Sequence, residues 1–182
     1  MEKNNLGEII LNHYEKYLGL FGDRTIFRGG EDIPVIQLLK YDNIFDECIT
    51  YASFGFSKYS GIIGNTCETI LSVDDDFEDA ALIFANALFF IIKNRLEFGR
   101  GTCVDGIYNI NREFADRHKK NAVYFTETYV FPDEFSHISN GVKMYLGFFI
   151  SQDECNYLKE FGCEKFEDLL EERKCDVMDL DR

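Results

Sequence analysis

The chain has 182 residues, 46% of them hydrophobic, and a formal net charge of −14 from 33 acidic and 19 basic side chains. That length suits a single domain over residues 1–182 with a full core, and the apolar content excludes intrinsic disorder. The charge has the sign that phosphate backbones and anionic membranes repel, so neither nucleic acid nor membrane is expected as a partner, whereas a basic protein is.

The chain opens with a helix over Leu6 to Leu18, where Ile9, Ile10, His13, Tyr14, Tyr17 and Leu18 recur at helical spacing. His13 on that apolar face reads as a satisfied core histidine. Arg24 to Ile33 reads as a loop, and Pro34 opens a strand over Val35 to Tyr41. Cys48 to Phe56 is a second strand, rich in β-branched and aromatic residues. Ser57 to Asn65 reads as a turn and Cys67 to Val73 as a third strand, and short connections predict a meander of the three. A long helix follows, with Phe77, Ala80, Ala81, Phe84, Leu88, Ile91, Ile92 and Leu96 on one face. Asp74, Asp75 and Asp76 are expected to cap it and complement its dipole, and Gly99 and Gly101 to end it.

The second half predicts a strand over Cys103 to Ile110, a polar loop or short helical turn over Asn111 to Lys120, and a strand over Val123 to Thr128. Phe131-Pro132-Asp133 breaks the chain. Gly141 to Ile150 is a strand with Val142, Met144, Leu146, Phe148 and Ile150 on one side. Ser151 caps a helix over Gln152 to Phe161, with Glu154 completing a capping box. Gly162 interrupts it, a further helical piece carries Phe166, Leu169 and Leu170, and Cys175 to Asp181 reads as a closing strand. Strands and helices in blocks predict an α+β fold with a mixed, mostly antiparallel sheet flanked by helices.

Catalytic signatures are missing: there is no P-loop, no GxSxG and no HExxH. A thiol enzyme would have to pair a cysteine with His13, His118 or His137. Carboxylate chemistry would have to draw on Asp74, Asp75, Asp76, Glu78 and Asp79, which a capping role explains better. Cys48, Cys67, Cys103, Cys155, Cys163 and Cys175 show no CxxC spacing, so neither a metal nor any other cofactor is expected, and the thiols are expected to be reduced. The start, Met1-Glu2-Lys3-Asn4-Asn5, has no cationic flank before an apolar stretch. The longest apolar run, Ala80 to Ile92, is too short to span a bilayer, so a cytoplasmic protein is expected.

Thr50-Tyr51-Ala52-Ser53-Phe54-Gly55-Phe56-Ser57 resembles the signature of the Suppressor of fused (Sufu) family, in which Tyr-x-Thr/Ser-x-Gly-x-Ser precedes a strand opening with a glutamate. Here that strand is Cys67-Glu68-Thr69-Ile70-Leu71. Gly99-Arg100-Gly101, the strand Gly141 to Phe149, Phe166 to Leu170 and Val177 to Arg182 resemble later parts of the family in the same order. Tyr51, Ser53, Gly55, Ser57 and Glu68 are therefore the family-motif residues, with Glu68 expected to accept hydrogen bonds from a turn.

Because the sequence is short, the extra C-terminal domain of the animal protein is not expected. Single-domain Sufu-like proteins are similar to bacterial immunity proteins, which neutralise toxins, several of them nucleases with basic surfaces. The resemblance thus implies an antitoxin without catalytic residues that occludes a basic toxin domain. Its candidate contacts are Asp74, Asp75, Asp76, Glu78, Asp79, Glu164, Glu167, Asp168, Glu171 and Glu172. The alternatives are an adaptor that sequesters an endogenous protein, through β-augmentation at a sheet edge, and an enzyme with a Cys–His or carboxylate site.

Overall fold

The computed structural model describes residues 5–31, 35–74 and 79–182. One sheet of eight strands runs through them: β1 (Asp23–Phe27), β2 (Ile36–Asp42), β3 (Ile49–Phe54), β4 (Cys67–Val73), β5 (Cys103–Asp105), β6 (Lys120–Glu127), β7 (His137–Ile138) and β8 (Val142–Ser151). Their order is β1-β2-β3-β4-β8-β6-β5, with β7 added beside β8. Only β4 and β8 pair in parallel; every other pair is antiparallel. The expected meander is therefore present as β2-β3-β4, within the mixed α+β fold that the block pattern of the sequence predicts.

Helices cover both faces. On one, α3 (Ala80–Lys93), α4 (Ile107–Ile110) and α5 (Arg112–His118) pack Phe84, Leu88, Ile107 and Phe114 against Leu71, Val123, Phe125 and Phe149. On the other, α1 (Leu6–Leu18), α6 (Gln152–Phe161) and α7 (Cys163–Glu172) pack Tyr14, Cys155, Phe166 and Leu170 against Leu39, Ile70, Tyr124 and Phe148. Burial on both faces explains why β8 reads as a nearly continuous apolar run, and it encloses every residue of β4, the polar Glu68, Thr69 and Ser72 included. In β8 the residues Val142, Met144, Leu146, Phe148 and Ile150 all face the α1/α6/α7 layer, as their alternation predicts. Gly147 lets α3 approach the sheet, because a Cβ there would lie 3.2 Å from Phe84 and 3.1 Å from Phe125.

Local signals set several element ends. The first helix spans Leu6–Leu18, and the side chain of its N-cap Asn5 accepts from the Gly7 amide. Ser151 and Glu154 form both bonds of the capping box that starts α6. His13 is half-buried, with Nε2 3.0 Å from the Phe135 carbonyl.

Four expectations are corrected, and one left between two alternatives is resolved. The loop predicted over Arg24 to Ile33 holds the strand β1, whose DRTIF sequence is exposed and so gives no burial alternation. The turn after β3 is a 3₁₀ turn, Phe56–Tyr59, running into the short helix α2 (Ser60–Ile63), which together bury Phe56, Tyr59 and Ile63. The strand predicted over Cys103 to Ile110 stops at Asp105, because Gly106 (φ 96°) turns the chain into α4. Of the two alternatives over Asn111 to Lys120 the helical one holds, as Asn111 caps α5 by accepting from the Phe114 amide. Cys175 to Asp181 forms turns instead of a strand: Asp176 and Asp179 accept from amides two residues on, so the local aspartates compete with a ladder.

Candidate functional site

Of the family-motif residues, Ser53, Gly55 and Ser57 converge on Glu68. Its side chain lies on the α1 side of β4, wholly buried. Gly55, just after β3, takes φ 110°, a left-handed turn that suits glycine. The turn aims three successive amides at the carboxylate: Gly55 N and Ser57 N reach Oε1 at 2.9 and 3.1 Å, and Phe56 N reaches Oε2 at 3.2 Å. Two hydroxyls complete the set, Ser57 donating to Oε1 at 2.8 Å and Ser53 to Oε2 at 2.5 Å. Ser53 Oγ in turn accepts from the Thr69 amide, and Tyr14 of α1 donates to the Ser53 carbonyl at 2.7 Å. Burial pushes the Glu68 carboxyl up from its ordinary value, against the opposing pull of the Ser53, Ser57 and Gly55 hydrogen bonds. Tyr51 is not one of these partners; it is buried in the other layer, under α3. Enclosed in this way, Glu68 is a clamp holding β3, β4 and the intervening turn together.

The second acidic centre is Glu167 on α7. Arg100, in the turn before β5, pairs with its Oε2 at 2.5 Å, and Tyr124 and Thr126 of β6 donate to Oε1 at 2.7 and 2.6 Å. Burial pushes the Glu167 carboxyl up, but the bonds from Arg100, Thr126 and Tyr124 outweigh it and hold the group below its ordinary value. Glu167 therefore fastens α7 to the sheet and is already engaged within the chain. Beside it a groove of about 580 Å³ opens between β6, β8 and the end of α7. Phe148, Leu170 and Thr126 line it along with Tyr129, Glu171 and Lys174. Tyr129 is 63% exposed, an unusual position for a large aromatic ring.

The remaining acids of α7 face outward. Glu164, Asp168, Glu171 and Glu172 are exposed and, at i, i+4, i+7 and i+8, form one stripe opposite the buried Phe166 and Leu170. The helix has no basic residue in its last turn, although Arg173 and Lys174 follow directly. Like charges at these spacings destabilise a helix by about 0.2–0.5 kcal/mol per pair.

The other acidic group disperses. Asp74 does not cap α3; its carboxylate accepts from the Leu180 amide at 3.0 Å while its own amide donates to the Met178 carbonyl. Asp79 precedes α3 without a side-chain cap bond and accepts from Asn111 Nδ2 at 2.6 Å. Asp75, Asp76 and Glu78 lie outside the described residues. Among the described residues no group of three or more His, Cys, Asp or Glu side chains could hold a metal ion. The histidines at 13 and 118 have oxygen partners, the Phe135 carbonyl and the Asp181 carboxylate. Tyr124 and Thr126 carry no signal in the sequence, and Arg100 figures there only within Gly99-Arg100-Gly101, since these partners of Glu167 lie 41 to 67 residues away from it.

An eight-stranded mixed sheet between two helical layers, clamped by a buried glutamate, defines a class of α+β domain. The family model for Suppressor of fused protein (SUFU) matches residues 32–182, and the chain belongs to that family. A suppressor of fused homolog from Neisseria gonorrhoeae has the same fold, with 20% identity and a TM-score of 0.77 over 97% of this chain and 94% of that one. A chain of the Sufu–Fu complex is similar over 97% of this chain and 90% of that one, at 13% identity and a TM-score of 0.63. A search of curated proteins finds no match. No helix among the described residues is long and apolar enough to cross a membrane.

Proposed function

We propose that this protein is an immunity protein or antitoxin of the cytoplasm, which binds a basic toxin domain and occludes its working surface without catalysing a reaction. The observation that carries this reading is the exposed α7 stripe, Glu164, Asp168, Glu171 and Glu172, beside the groove that presents Tyr129. An exposed aromatic ring supplies an interface anchor, and the surrounding acids supply steering and register. At the barnase–barstar interface close charge pairs couple by about 1.5–7 kcal/mol. A nuclease is the partner class that fits best, because the surface that holds its phosphate backbone is basic. The net charge of −14 favours such a partner and disfavours direct binding of nucleic acid or anionic lipid.

The test is co-expression with a toxin domain encoded beside this protein, in cells that the toxin alone kills. The wild-type protein should protect and form a one-to-one complex whose association slows as salt rises. The quadruple variant E164Q/D168N/E171Q/E172Q should fold normally and protect poorly. Equal protection by both proteins would reject the electrostatic interface.

A second reading, an adaptor that sequesters an endogenous protein, draws on β1. Among the described residues this edge strand pairs with β2 on one side only, and most of its residues are exposed. A non-toxic partner that adds a strand there, and is displaced by proline substitutions within β1, would favour the adaptor.

A further inference from the structure

Cys103 in β5 and Cys155 in α6 lie 52 residues apart in sequence, yet their Sγ atoms are 3.8 Å apart. The contact is held in place from both sides. Cys103 and Asp105 project from the same side of β5, and Cys155 and Lys159 from the same side of α6. Lys159 Nζ pairs with Asp105 at 2.6 Å, so a thiol pair and an ion pair form successive links between the two elements. A disulfide needs an S–S distance of about 2.05 Å, so closing the pair requires a movement of under about 2 Å. The two thiols differ in access: Cys155 is fully buried, whereas Cys103 is part-exposed.

We infer that Cys103 and Cys155 form a thiol–disulfide exchange site that takes a low-molecular-weight disulfide and closes into an intramolecular bond. The Cys103 thiolate attacks one sulfur of the small disulfide; the other sulfur leaves as a thiolate and takes up a proton. Cys155 then loses its proton to solvent and attacks Cys103 Sγ, expelling the second half of the reagent as a thiol. One small disulfide is reduced to two thiols while two cysteines are oxidised, so atoms and electrons balance. Burial and the neighbouring Cys155 push the Cys103 thiol up, which makes the first step slow at neutral pH. Lys159, paired with Asp105, stands one turn beyond Cys155 on α6 and so keeps a cation beside the second thiol. The bond would tie the edge strand β5 to the helix that leads through Gly162 into α7.

Bis(2-hydroxyethyl) disulfide is the appropriate probe, because it is uncharged and a chain of net charge −14 repels anionic reagents. The native protein is incubated with it, blocked with iodoacetamide and digested with trypsin. Cys103 and Cys155 fall in separate peptides, Gly101 to Arg112 and Met144 to Lys159, each with a single cysteine. The expected result is a cross-link between these two peptides and a loss of two of the six thiols. The oxidised protein should melt roughly 5–10 °C higher and return to its starting Tm with dithiothreitol. In C155S the reagent should stop as a stable mixed disulfide on Cys103. A native wild-type protein that keeps Cys103 as a thiol or as a stable mixed disulfide would overturn the inference. So would a cross-link through Cys163 instead, or one that forms only in denaturant.

Discussion

Glu68 and the acids of α7 are the same chemistry in opposite settings. Glu68 has no solvent, five donors and no cation among its hydrogen-bond partners, so its charge is spent on the turn that joins β3 to β4. Glu167, at the edge of a groove, takes two hydroxyls and an arginine and fixes a helix in place. Glu164, Asp168, Glu171 and Glu172, on the outer face of that helix, bond to no other side chain among the described residues. A carboxylate that folding has enclosed can only organise the fold, whereas one that folding leaves in water keeps its charge for a partner. The residues around Glu68 thus act within the fold, and the proposed recognition surface lies about 100 residues later in the chain.

Breaking the clamp should have the largest effect. Glu68→Ala leaves three backbone amides and two hydroxyls without their acceptor, and should destabilise the protein by about 3–5 kcal/mol in urea unfolding. Gly55→Ala tests the turn that aims those amides. Its φ of 110° strains any L side chain, and the new Cβ would lie 3.4 Å from the Val35 carbonyl, so a loss of about 1–3 kcal/mol is expected.

The Glu167 region should respond less, and with the opposite pH dependence. Its pairing with Arg100 is part-exposed, and solvent screening limits Glu167→Gln to a loss of roughly 1 kcal/mol at pH 7. Because the folded protein holds Glu167 below its ordinary value, this stabilisation is complete above the unfolded carboxyl value of about 4.3 and is lost as pH falls through the folded value. Glu68 is raised, so the folded state takes up its proton more readily than the unfolded chain, and its contribution improves as pH falls through that raised value. Stability measured from pH 7 down to pH 3 should therefore decline less steeply in Glu167→Gln than in the wild type. The quadruple α7 variant, whose side chains are exposed, should lose no stability and gain at most about 1 kcal/mol from the like-charge pairs it removes.

Much of this architecture is legible in the sequence where a local signal dominates. The bounds of α1 and β4, the capping box at Ser151 and the one-sided alternation of β8 all arise from periodicity or capping chemistry within a dozen residues. The motif also points to Glu68 as an acceptor from a turn. What the sequence hides depends on distant contacts or on the absence of burial. β1 is exposed and polar, and its strand geometry comes from pairing with β2. The aspartate run before α3 reads as a cap, but Asp74 bonds instead to the tail 106 residues away. Glu167 looks like one more solvated acid of α7 until the fold brings Arg100, Tyr124 and Thr126 to it. Its place beside Phe166 on the edge of the apolar face is the single local hint.

The central claim, that exposed carboxylates on α7 recognise a basic protein, is tested most directly by measuring association. The wild-type protein and the quadruple α7 variant would be immobilised side by side and presented with the purified basic toxin domain at low and high salt. Tight, salt-sensitive binding to the wild type, with association at least tenfold slower on the variant, is the expected result. Binding that is equal for the two proteins and indifferent to salt would contradict it.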